Sequence, residues 1–384
     1  MATVSQKEAI RQWKELCATI QNITSVPTID TEVNKMQRIK RARTDYAFFV
    51  QYYFPHYCTD QVTGKVTPSA KFHIDTANKI KREKNIRAVL KWARGHAKST
   101  NIDVTIPMWL KCQETPEFHF MVLVGKSEEA AMTLLGALQA EFQYNQRYIR
   151  DFGRQVNMGT WKEGSFVTSD DCAFFALGRG QSPRGLRHRS YRPDYIVIDD
   201  LDDDELCQNE ERVRKTTEWV TDALFGAFGA SGGRFIMVGN LISKCSVLEL
   251  ISKKQSVYVS QVNIYDKNGN PSWPELWTRE RIEERATFMG YRAFQKEYMN
   301  NPITEGAVFR HNWIRYKRIL PLREYEDIVL YVDPSFKPTT KNDYKAAKLW
   351  GKTKSGELHL IKAFCRQTTV VEMVRWLYDL HEWI

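Results

Sequence analysis

Continuous hydrophobic runs alternate along the chain with segments in which hydrophobic residues recur at helical spacing. Helical spacing marks residues 6–22, a segment from Phe72 into the basic run 79–87, and a segment that runs from an N-cap at Ser127 to Tyr144. Strand-like runs occupy residues 86–92, 119–125, 172–177, 195–198, 234–238 and 257–264. Such runs are typical of strands buried on both faces of a parallel sheet. We therefore predict an α/β fold with a mainly parallel sheet and a functional site at the strand carboxyl ends.

Composition narrows the class of protein. Hydrophobic residues make up 42% of the chain and charged residues 27%, and no run approaches the ~18–20 apolar residues of a membrane span. The N-terminus is polar, which argues against a secretory signal. The seven cysteines are scattered without a C-x-x-C pair, so we expect a reducing compartment and neither a disulfide framework nor a zinc site.

The net charge of +10 favours polyanionic partners, with DNA or RNA first. The alternative is a basic surface that is simply solvated. Charge alone does not separate the two.

The strand-like run 86–92 leads into Ala93-Arg-Gly-His-Ala-Lys-Ser-Thr100, which has the strand–loop–helix pattern of a phosphate-binding loop. Candidate ATP-binding residues are Arg94, Gly95, His96, Ala97, Lys98, Ser99 and Thr100. Lys98 would reach the β- and γ-phosphates and Ser99 would contact Mg²⁺. The match is imperfect, since Trp92 and Ala97 replace the two glycines, and an ordinary helix start is the alternative.

Two neighbouring features belong with this loop. Pro107 is expected to kink the helix that follows the loop as far as Leu110. Ahead of the loop, His73 is open to two interpretations, as an adenine contact or as a structural histidine of a helix face.

The run Tyr195–Ile198 ends in two carboxylates, which is the pattern of a Walker B strand. Asp199 would hold Mg²⁺ through water, and Asp200 would orient and deprotonate the attacking water. The alternative is an acidic loop, since residues 199–205 are strongly acidic. A further buried strand ends in Gly239 and Asn240. In P-loop nucleotide motors, a residue that senses the γ-phosphate lies at this place.

With these three elements in order, the chain resembles the large terminase subunit of tailed double-stranded DNA bacteriophages, the ATPases that pump genomes into procapsids. The loop at 93–100 is similar to the family's deviant phosphate loop, and Val238-Gly-Asn240 to its coupling motif. Arg184-Gly-Leu-Arg187 together with Arg192–Asp200 resembles its Walker B context. Trp273-Pro-Glu-Leu-Trp277 and Phe294–Pro302 resemble its lid and linker signatures.

The resemblance implies further roles. Arg94 would stabilise transition-state charge in cis, the alternative being a structural arginine paired with a lid carboxylate. Gly239 and Asn240 would couple hydrolysis to movement of the lid. Three arginines after the third strand-like run would contact DNA or a neighbouring subunit's nucleotide, namely Arg184, Arg187 and Arg189.

The family also carries a C-terminal metal-dependent nuclease of RNase H-like fold. The strand 328–334 contains Asp333, the expected first ligand of Mg²⁺ or Mn²⁺, and Asp343 follows as part of a partial site. Strands at 345–350 and 357–364 and an amphipathic helix at 369–384 would continue the fold. The expected apolar stripe of that helix is Val370, Val371, Val374, Leu377 and Tyr378. The fold appears truncated on this pattern, so we expect a poor nuclease, an open strand edge and exposed apolar surface.

The predicted architecture is a helical segment at 1–34, a P-loop ATPase domain of the ASCE type at 35–302 with its lid at about 265–302, a linker at 303–325 and the beginning of the nuclease domain at 326–384. The resemblance implies ATP with Mg²⁺ as cofactor. Implied partners are double-stranded DNA, a small terminase subunit, the portal of the procapsid and further copies in a ring, with no membrane. The implied location is the host cytoplasm, at the portal during packaging and not in the finished virion.

Two other functions remain open at this point. A helicase-like P-loop remodeller is disfavoured because no second helicase half follows. A non-hydrolysing, nucleotide-regulated DNA-binding subunit is disfavoured because binding alone needs no water-activating acid such as Asp200.

Overall fold

The computed structural model describes residues 6–26, 30–59, 64–303, 315–334 and 344–384. The chain divides into two compact units, Met1–Glu305 and Gly306–Ile384, and each is described by itself. None of the helices in these ranges combines the length and the hydrophobicity that crossing a membrane requires.

A sheet whose seven described strands are mostly parallel forms the centre of the first unit. The strands are β1 (Arg87–Trp92), β2 (Phe120–Gly125), β3 (Ser165–Val167), β4 (Ala173–Gly178), β5 (Tyr195–Asp199), β6 (Arg234–Gly239) and β7 (Tyr258–Val262). Their order across the sheet is β3-β4-β2-β5-β6-β1-β7, and β3 alone among them runs antiparallel to its neighbour. The predicted α/β fold with a mainly parallel sheet is confirmed. The edge strand β3 has no counterpart in the sequence prediction because three residues are too few to show a period.

Helices surround this sheet. They are α1 (Gln6–Ile23), α2 (Glu32–Thr44), α3 (Tyr46–Tyr53), α4 (Pro55–Cys58), α5 (Lys71–Arg82), α6 (Ile106–Lys111), α7 (Glu128–Tyr144), α8 (Gln146–Phe152), α9 (Asp204–Cys207), α10 (Glu210–Glu218), α11 (Val247–Ser252), α12 (Arg279–Met289) and α13 (Tyr291–Tyr298). The N-cap predicted at Ser127 is confirmed, since its side chain accepts a hydrogen bond from the main-chain N–H of Ala130.

Both faces of the central strands are buried. Leu90 of β1 packs into a core with Trp109 of α6 and Leu135 of α7, whereas Val89 packs into a second core on the opposite face with Leu248 of α11. Lys91 of β1 is an exception, a buried lysine whose ammonium pairs with Glu249 of α11 at 2.5 Å. Successive side chains of a strand point to opposite faces, so a strand covered on both sides is otherwise mostly apolar. This explains the continuous hydrophobic runs in the sequence.

The helix that follows the phosphate loop differs from the prediction. A π-helical turn, Thr100–Thr105, precedes α6, and the main-chain N–H of Ile106 bonds the carbonyl of Asn101. Pro107 lies in the first turn of α6, where its missing N–H is tolerated. The irregularity therefore lies ahead of Pro107, in the turn that carries Asp103.

The described part of the second unit is an antiparallel sheet of three strands with one helix. The strands β8 (Asp327–Asp333), β9 (Lys345–Lys352) and β10 (Leu358–Arg366) lie in the order β10-β9-β8, and α14 (Val370–Trp383) follows.

The apolar stripe predicted for α14 is correct at Leu377 and wrong at Val371, Val374 and Tyr378, which are exposed. Met373 and Leu380 are the buried residues of this helix, with Trp376 and Leu377 packed beside them against the sheet. Val371 and Tyr378 are 59% and 70% exposed. The helix is apolar on more than one side, so its sequence does not reveal which side meets the sheet.

Candidate nucleotide site

The loop after β1 turns through two residues with positive φ, Gly95 at 75° and Ala97 at 51°. Glycine adopts this conformation freely, whereas it costs an alanine about 1–2 kcal/mol. The turn brings Lys98 and Ser99 to the start of the helix that continues as the π-helical turn. The loop thus presents helix N-terminal N–H groups at the carboxyl end of β1, an arrangement suited to an anion.

The side chain of Lys98 is buried and bonded to neutral groups of the chain itself. Its Nζ donates to the side-chain oxygen of Asn240 and to the carbonyl of Trp92, the latter at 3.3 Å. Burial lowers the pKa of the Lys98 ammonium, while the charges of Asp200 and Asp199 act in the opposite direction. A buried ammonium with neutral acceptors is incompletely compensated, so a phosphate would be a strong partner.

Ser99 and Asp199 are joined directly. The Ser99 hydroxyl donates to Asp199 Oδ2 at 2.5 Å, and Asp199 is 2% exposed at the end of β5. Burial, followed by the nearby charge of Asp200, raises the pKa of Asp199 to about 6.

Asp103 lies beside Asp199 and is 1% exposed. Burial, followed by the charge of Asp199, raises the pKa of Asp103 well above its usual range. Both oxygens of Asp103 and Oδ1 of Asp199 have no donor when the two groups are ionised. A neutral Asp103 would carry a hydroxyl hydrogen that one carboxylate oxygen of Asp199 could accept.

The oxygens of Ser99 and Asp199 fit a magnesium ion, which prefers hard oxygen ligands and retains waters. Within the described ranges, no group of three or more His, Cys, Asp or Glu side chains is arranged to hold a metal by itself. A Mg²⁺ at Ser99 and Asp199 would therefore complete its coordination with phosphate oxygens and water.

Asp200 has a strained backbone and an exposed side chain. Its φ is 42°, and its main-chain N–H donates to the carbonyl of Val238 at 3.1 Å. A Cβ added to Gly239 would lie 3.3 Å from Asp200 Oδ1, so glycine leaves room for this carboxylate. Such strain in a residue other than glycine is concentrated at functional sites.

The next three residues of the acidic run, Asp202, Asp203 and Asp204, make structural contacts. Asp202 accepts hydrogen bonds from the main-chain N–H groups that begin α11, and Asp203 caps α9. Asp204 pairs with Lys296 of α13 at 2.5 Å. The run is therefore anchored to three helices, unlike the solvated acidic loop of the alternative interpretation.

Glu297 of α13 connects the strand ends to residues 265–302, the segment predicted to form the lid. Asn240 Nδ2 donates to the carbonyl oxygen of Glu297 at 2.8 Å and to its Oε2 at 3.3 Å. The Arg94 side chain, 65% exposed, pairs with the same Oε2 at 3.4 Å. In this structure Arg94 thus makes the contact with a lid carboxylate that was the alternative to a catalytic role.

These side chains line one cavity of about 530 Å³, with Lys126 and Thr133 on the side of α7. The predicted residues at this cavity are Arg94, Lys98, Ser99, Asp199, Asp200, Gly239 and Asn240. The side chains of His96 and Thr100 are not part of the lining; Gly95 and Ala97 contribute the turn of the loop.

His73 is hydrogen-bonded to the phosphate loop. Its Nδ1 accepts from the main-chain N–H of Ala70 and its Nε2 donates to the carbonyl of His96, both at 3.0 Å. Burial lowers the pKa of both His73 and His96 to about 4. Both ring nitrogens of His73 are occupied, which favours the structural interpretation over an adenine contact.

The remaining candidates lie elsewhere. Arg184 and Arg187 are exposed, and Arg189 pairs with Asp171 at 2.9 Å. Asp333 ends β8 in the second unit and is exposed. Asp343 lies outside the described residues.

Two residues of the site have no assigned role in the sequence analysis, Glu297 and Asp103. Glu297 lies inside the stretch that resembles the linker signature, but nothing in its spacing points to Asn240. Asp103 had a usable signal, an acid placed between the apolar residues Ile102 and Val104 directly after the phosphate loop.

Comparisons with known proteins give structural neighbours but no sequence relatives. No protein-family model matches the chain, and no curated protein matches its sequence. The chain is similar to the HK97 bacteriophage large terminase, with a TM-score of 0.42 and 15% identity over 84% of this chain and 67% of that one. It is also similar to the large terminase ATPase domain of Thermus phage P74-26, with a TM-score of 0.39 and 13% identity over 59% of this chain and 92% of that one. Both of these neighbours are phage large terminases.

Proposed function

We propose that this chain is the ATPase subunit of a viral DNA-packaging motor, which hydrolyses ATP to move double-stranded DNA into a procapsid. The observation that carries the ATPase part is the meeting of Lys98, Ser99, Asp199 and Asp200 in one cavity at the carboxyl edge of the parallel sheet. The packaging part rests on the terminase-like motifs and on the basic charge of the chain.

Each side chain of the cavity suits one part of phosphoryl transfer to water. Lys98 would bind the β- and γ-phosphates, Ser99 and Asp199 would hold Mg²⁺, and Asp200 would orient the attacking water and accept its proton. The metal, when bound, supplies positive charge to the phosphate oxygens. Arg94 would have to leave Glu297 before its guanidinium could reach a phosphate.

The contacts of Lys98 supply a physical route from nucleotide to lid. An incoming phosphate competes with Asn240 for the Lys98 ammonium, and Asn240 also holds Glu297 of α13. Binding would therefore change the bonds of Asn240 and, through Glu297, those of the lid. This agrees with the coupling role expected for Gly239 and Asn240.

The proposed partners follow from the motif resemblance. They are double-stranded DNA, a small terminase subunit, the portal of the procapsid and further copies of the chain in a ring, all in the host cytoplasm. The net charge of +10 supports binding to a phosphate backbone.

The test is ATP turnover with and without double-stranded DNA, for the wild type, Lys98→Ala and Asp200→Asn. We expect the wild type to hydrolyse ATP, Lys98→Ala to lose nucleotide binding, and Asp200→Asn to bind nucleotide while its turnover falls by about 10²–10⁴-fold, the usual worth of a general base. Lys71→Ala and Asp75→Asn are matched controls, because these residues form an exposed pair on α5. Both controls should behave as wild type.

The outcomes separate the functions considered. A wild type that binds ATP but does not turn it over, even on DNA, would favour the nucleotide-regulated DNA-binding subunit. A wild type that binds no nucleotide would refute the phosphate-loop assignment. Strand separation driven by ATP would favour the helicase-like remodeller.

For the second unit we propose a metal-dependent nuclease role with Asp333 as a ligand of Mg²⁺ or Mn²⁺. Plasmid nicking that needs Mn²⁺ and disappears in Asp333→Asn, but persists in the control Asp379→Asn, would support it. Equal nicking by wild type and Asp333→Asn would refute it.

A further inference from the structure

Each of the four residues that open the phosphate loop is hydrogen-bonded to the segment 262–298. The bonds join Ala93 N to Val262 O at 2.8 Å, Arg94 N to Glu297 O at 2.9 Å, Gly95 O to Trp277 Nε1 at 3.2 Å and His96 Nε2 to Ser272 Oγ at 2.8 Å. Three of the four partners belong to the lid, residues 265–302. The first half of the loop is therefore held by hydrogen bonds, three of which come from the lid.

Trp277 also packs its ring against the loop. Beyond its hydrogen bond, its indole ring covers Gly95 so tightly that a Cβ added there would lie 2.6 Å from Trp277 Cζ2. The ring is held inside the lid by Tyr298, whose ring meets it edge-on at 5.7 Å, and by Arg285, whose guanidinium lies 5.9 Å from its centroid. The indole thus belongs to the lid and touches the loop.

We propose that Trp277 is a positioning residue for nucleotide binding, which holds the phosphate loop in its binding conformation and moves with the lid when nucleotide enters. This inference rests on the proposed ATPase function and extends it to a residue outside the phosphate loop and the strand ends.

The need for such a residue follows from the composition of the loop. Ala97 has a φ of 51°, a conformation that an alanine holds only when its surroundings impose it. The bonds to Trp277, Ser272 and Glu297 hold residues 94–96 of the loop, and His73 donates to the carbonyl of His96. Without Trp277, Gly95 is free to populate other conformations, and fewer molecules present the N–H groups of the loop to phosphate.

The first measurement is the KM and kcat of ATP hydrolysis for Trp277→Phe and Trp277→Ala. Phenylalanine keeps a ring over Gly95 but loses the indole N–H, so we expect KM to rise about two- to fivefold, the range of one neutral hydrogen bond. Alanine loses both, and KM should rise about tenfold or more. In both variants kcat should stay within about twofold, because Trp277 does not line the cavity that holds Asp200.

Trp161→Phe is the matched control. Its indole N–H also donates one hydrogen bond, to Gln143 Oε1 at 3.0 Å, and it packs against Phe166 of the edge strand β3. The control should leave KM unchanged. If Trp277→Phe and Trp277→Ala lower the melting temperature but leave KM at the wild-type value, the role is merely structural and the inference is overturned.

The second measurement is fluorine NMR of protein labelled with 5-fluorotryptophan. The resonance absent from Trp277→Phe should shift when Mg²⁺ and ADP are added to the wild type, whereas the Trp161 resonance should not. A wild type that binds ADP without a shift at Trp277 would overturn the coupling to the lid while leaving the ATPase assignment intact. A wild type that binds no nucleotide at all would overturn both proposals.

Discussion

At the residue scale, Gly95 is required for two separate reasons. Its φ of 75° favours glycine, and the ring of Trp277 leaves no room for a Cβ. These two effects have different origins, so they can be separated by mutation. One depends on Trp277 and the other does not.

We predict that Gly95→Ala weakens ADP binding by at least about tenfold, from backbone strain of about 1–2 kcal/mol plus the clash with the ring. Trp277→Ala removes the clash but not the strain, so the double variant should bind better than the product of the two single losses predicts. Titration of ADP into the four proteins measures this coupling. Strict additivity would show that the ring does not press on residue 95.

The buried histidines behind the loop predict a pH dependence of stability. The pKa of His73 is about 4 in the folded chain and that of an unfolded histidine is about 6.5. Between these values the unfolded chain binds more protons, so stability falls as the pH drops from about 6.5 to about 4 and is unaffected above. At pH 5 this loss is about 2 kcal/mol for His73.

The measurement is the free energy of unfolding in urea at pH 7 and pH 5. The drop between the two should be smaller in His73→Gln than in wild type by about 1–2 kcal/mol. His119→Gln, which removes a partly exposed histidine stacked on Tyr191, serves as control. Equal drops in wild type and His73→Gln would contradict the buried neutral state of His73.

At the element scale, β8 is an exposed edge strand. In the described residues it pairs with β9 on one side, and its apolar side chains are exposed on both faces, with Val329 at 58% on one face and Leu330 at 42% on the other. An edge of this kind is prone to pair with another chain. The expectation of exposed apolar surface in this unit is confirmed for β8.

We predict that Val329→Lys lowers concentration-dependent self-association of the full chain, measured by light scattering, because a charge blocks edge pairing. Val33→Lys places the same charge at an exposed valine of α2 and should leave association unchanged. Equal self-association of the two variants would exclude β8 as the strand through which the chains associate.

At the scale of the whole molecule, the excess of positive charge governs the expected contact with DNA. If the contact is made through phosphates, each neutralised phosphate releases counterions and the affinity falls with salt. We predict that raising the salt from 50 to 200 mM weakens binding to duplexes of unrelated sequence about equally, by about tenfold even for two phosphate contacts. Fluorescence anisotropy of labelled duplexes measures it. A salt-independent affinity, or a strong sequence preference, would contradict phosphate-dominated binding.

Much of the first unit could be predicted from the sequence. A strand that is buried on both faces needs apolar residues in succession, and such a run is visible in the sequence. Strands β1, β2, β5 and β6 appear as continuous apolar runs whose ends lie within one or two residues of the observed ones. The same reasoning failed for β3, which is too short, and for the buried side of α14, where several sides are apolar. Neither the length of β3 nor the hydrophobic pattern of α14 therefore carries the information that decides its packing.

The sequence by itself determined the order of the chemistry along the chain, a basic loop after one strand and carboxylates after another, because polar groups at strand ends interrupt apolar runs. Only the tertiary structure decided that Asn240 holds both Lys98 and Glu297, that Asp103 is buried beside Asp199, and that Trp277 closes over Gly95. The residues of these pairs lie between 57 and 182 positions apart in the sequence. Parallel strands bring their carboxyl ends to one edge whatever the length of chain between them, and no local pattern of residues encodes which side chains then meet there.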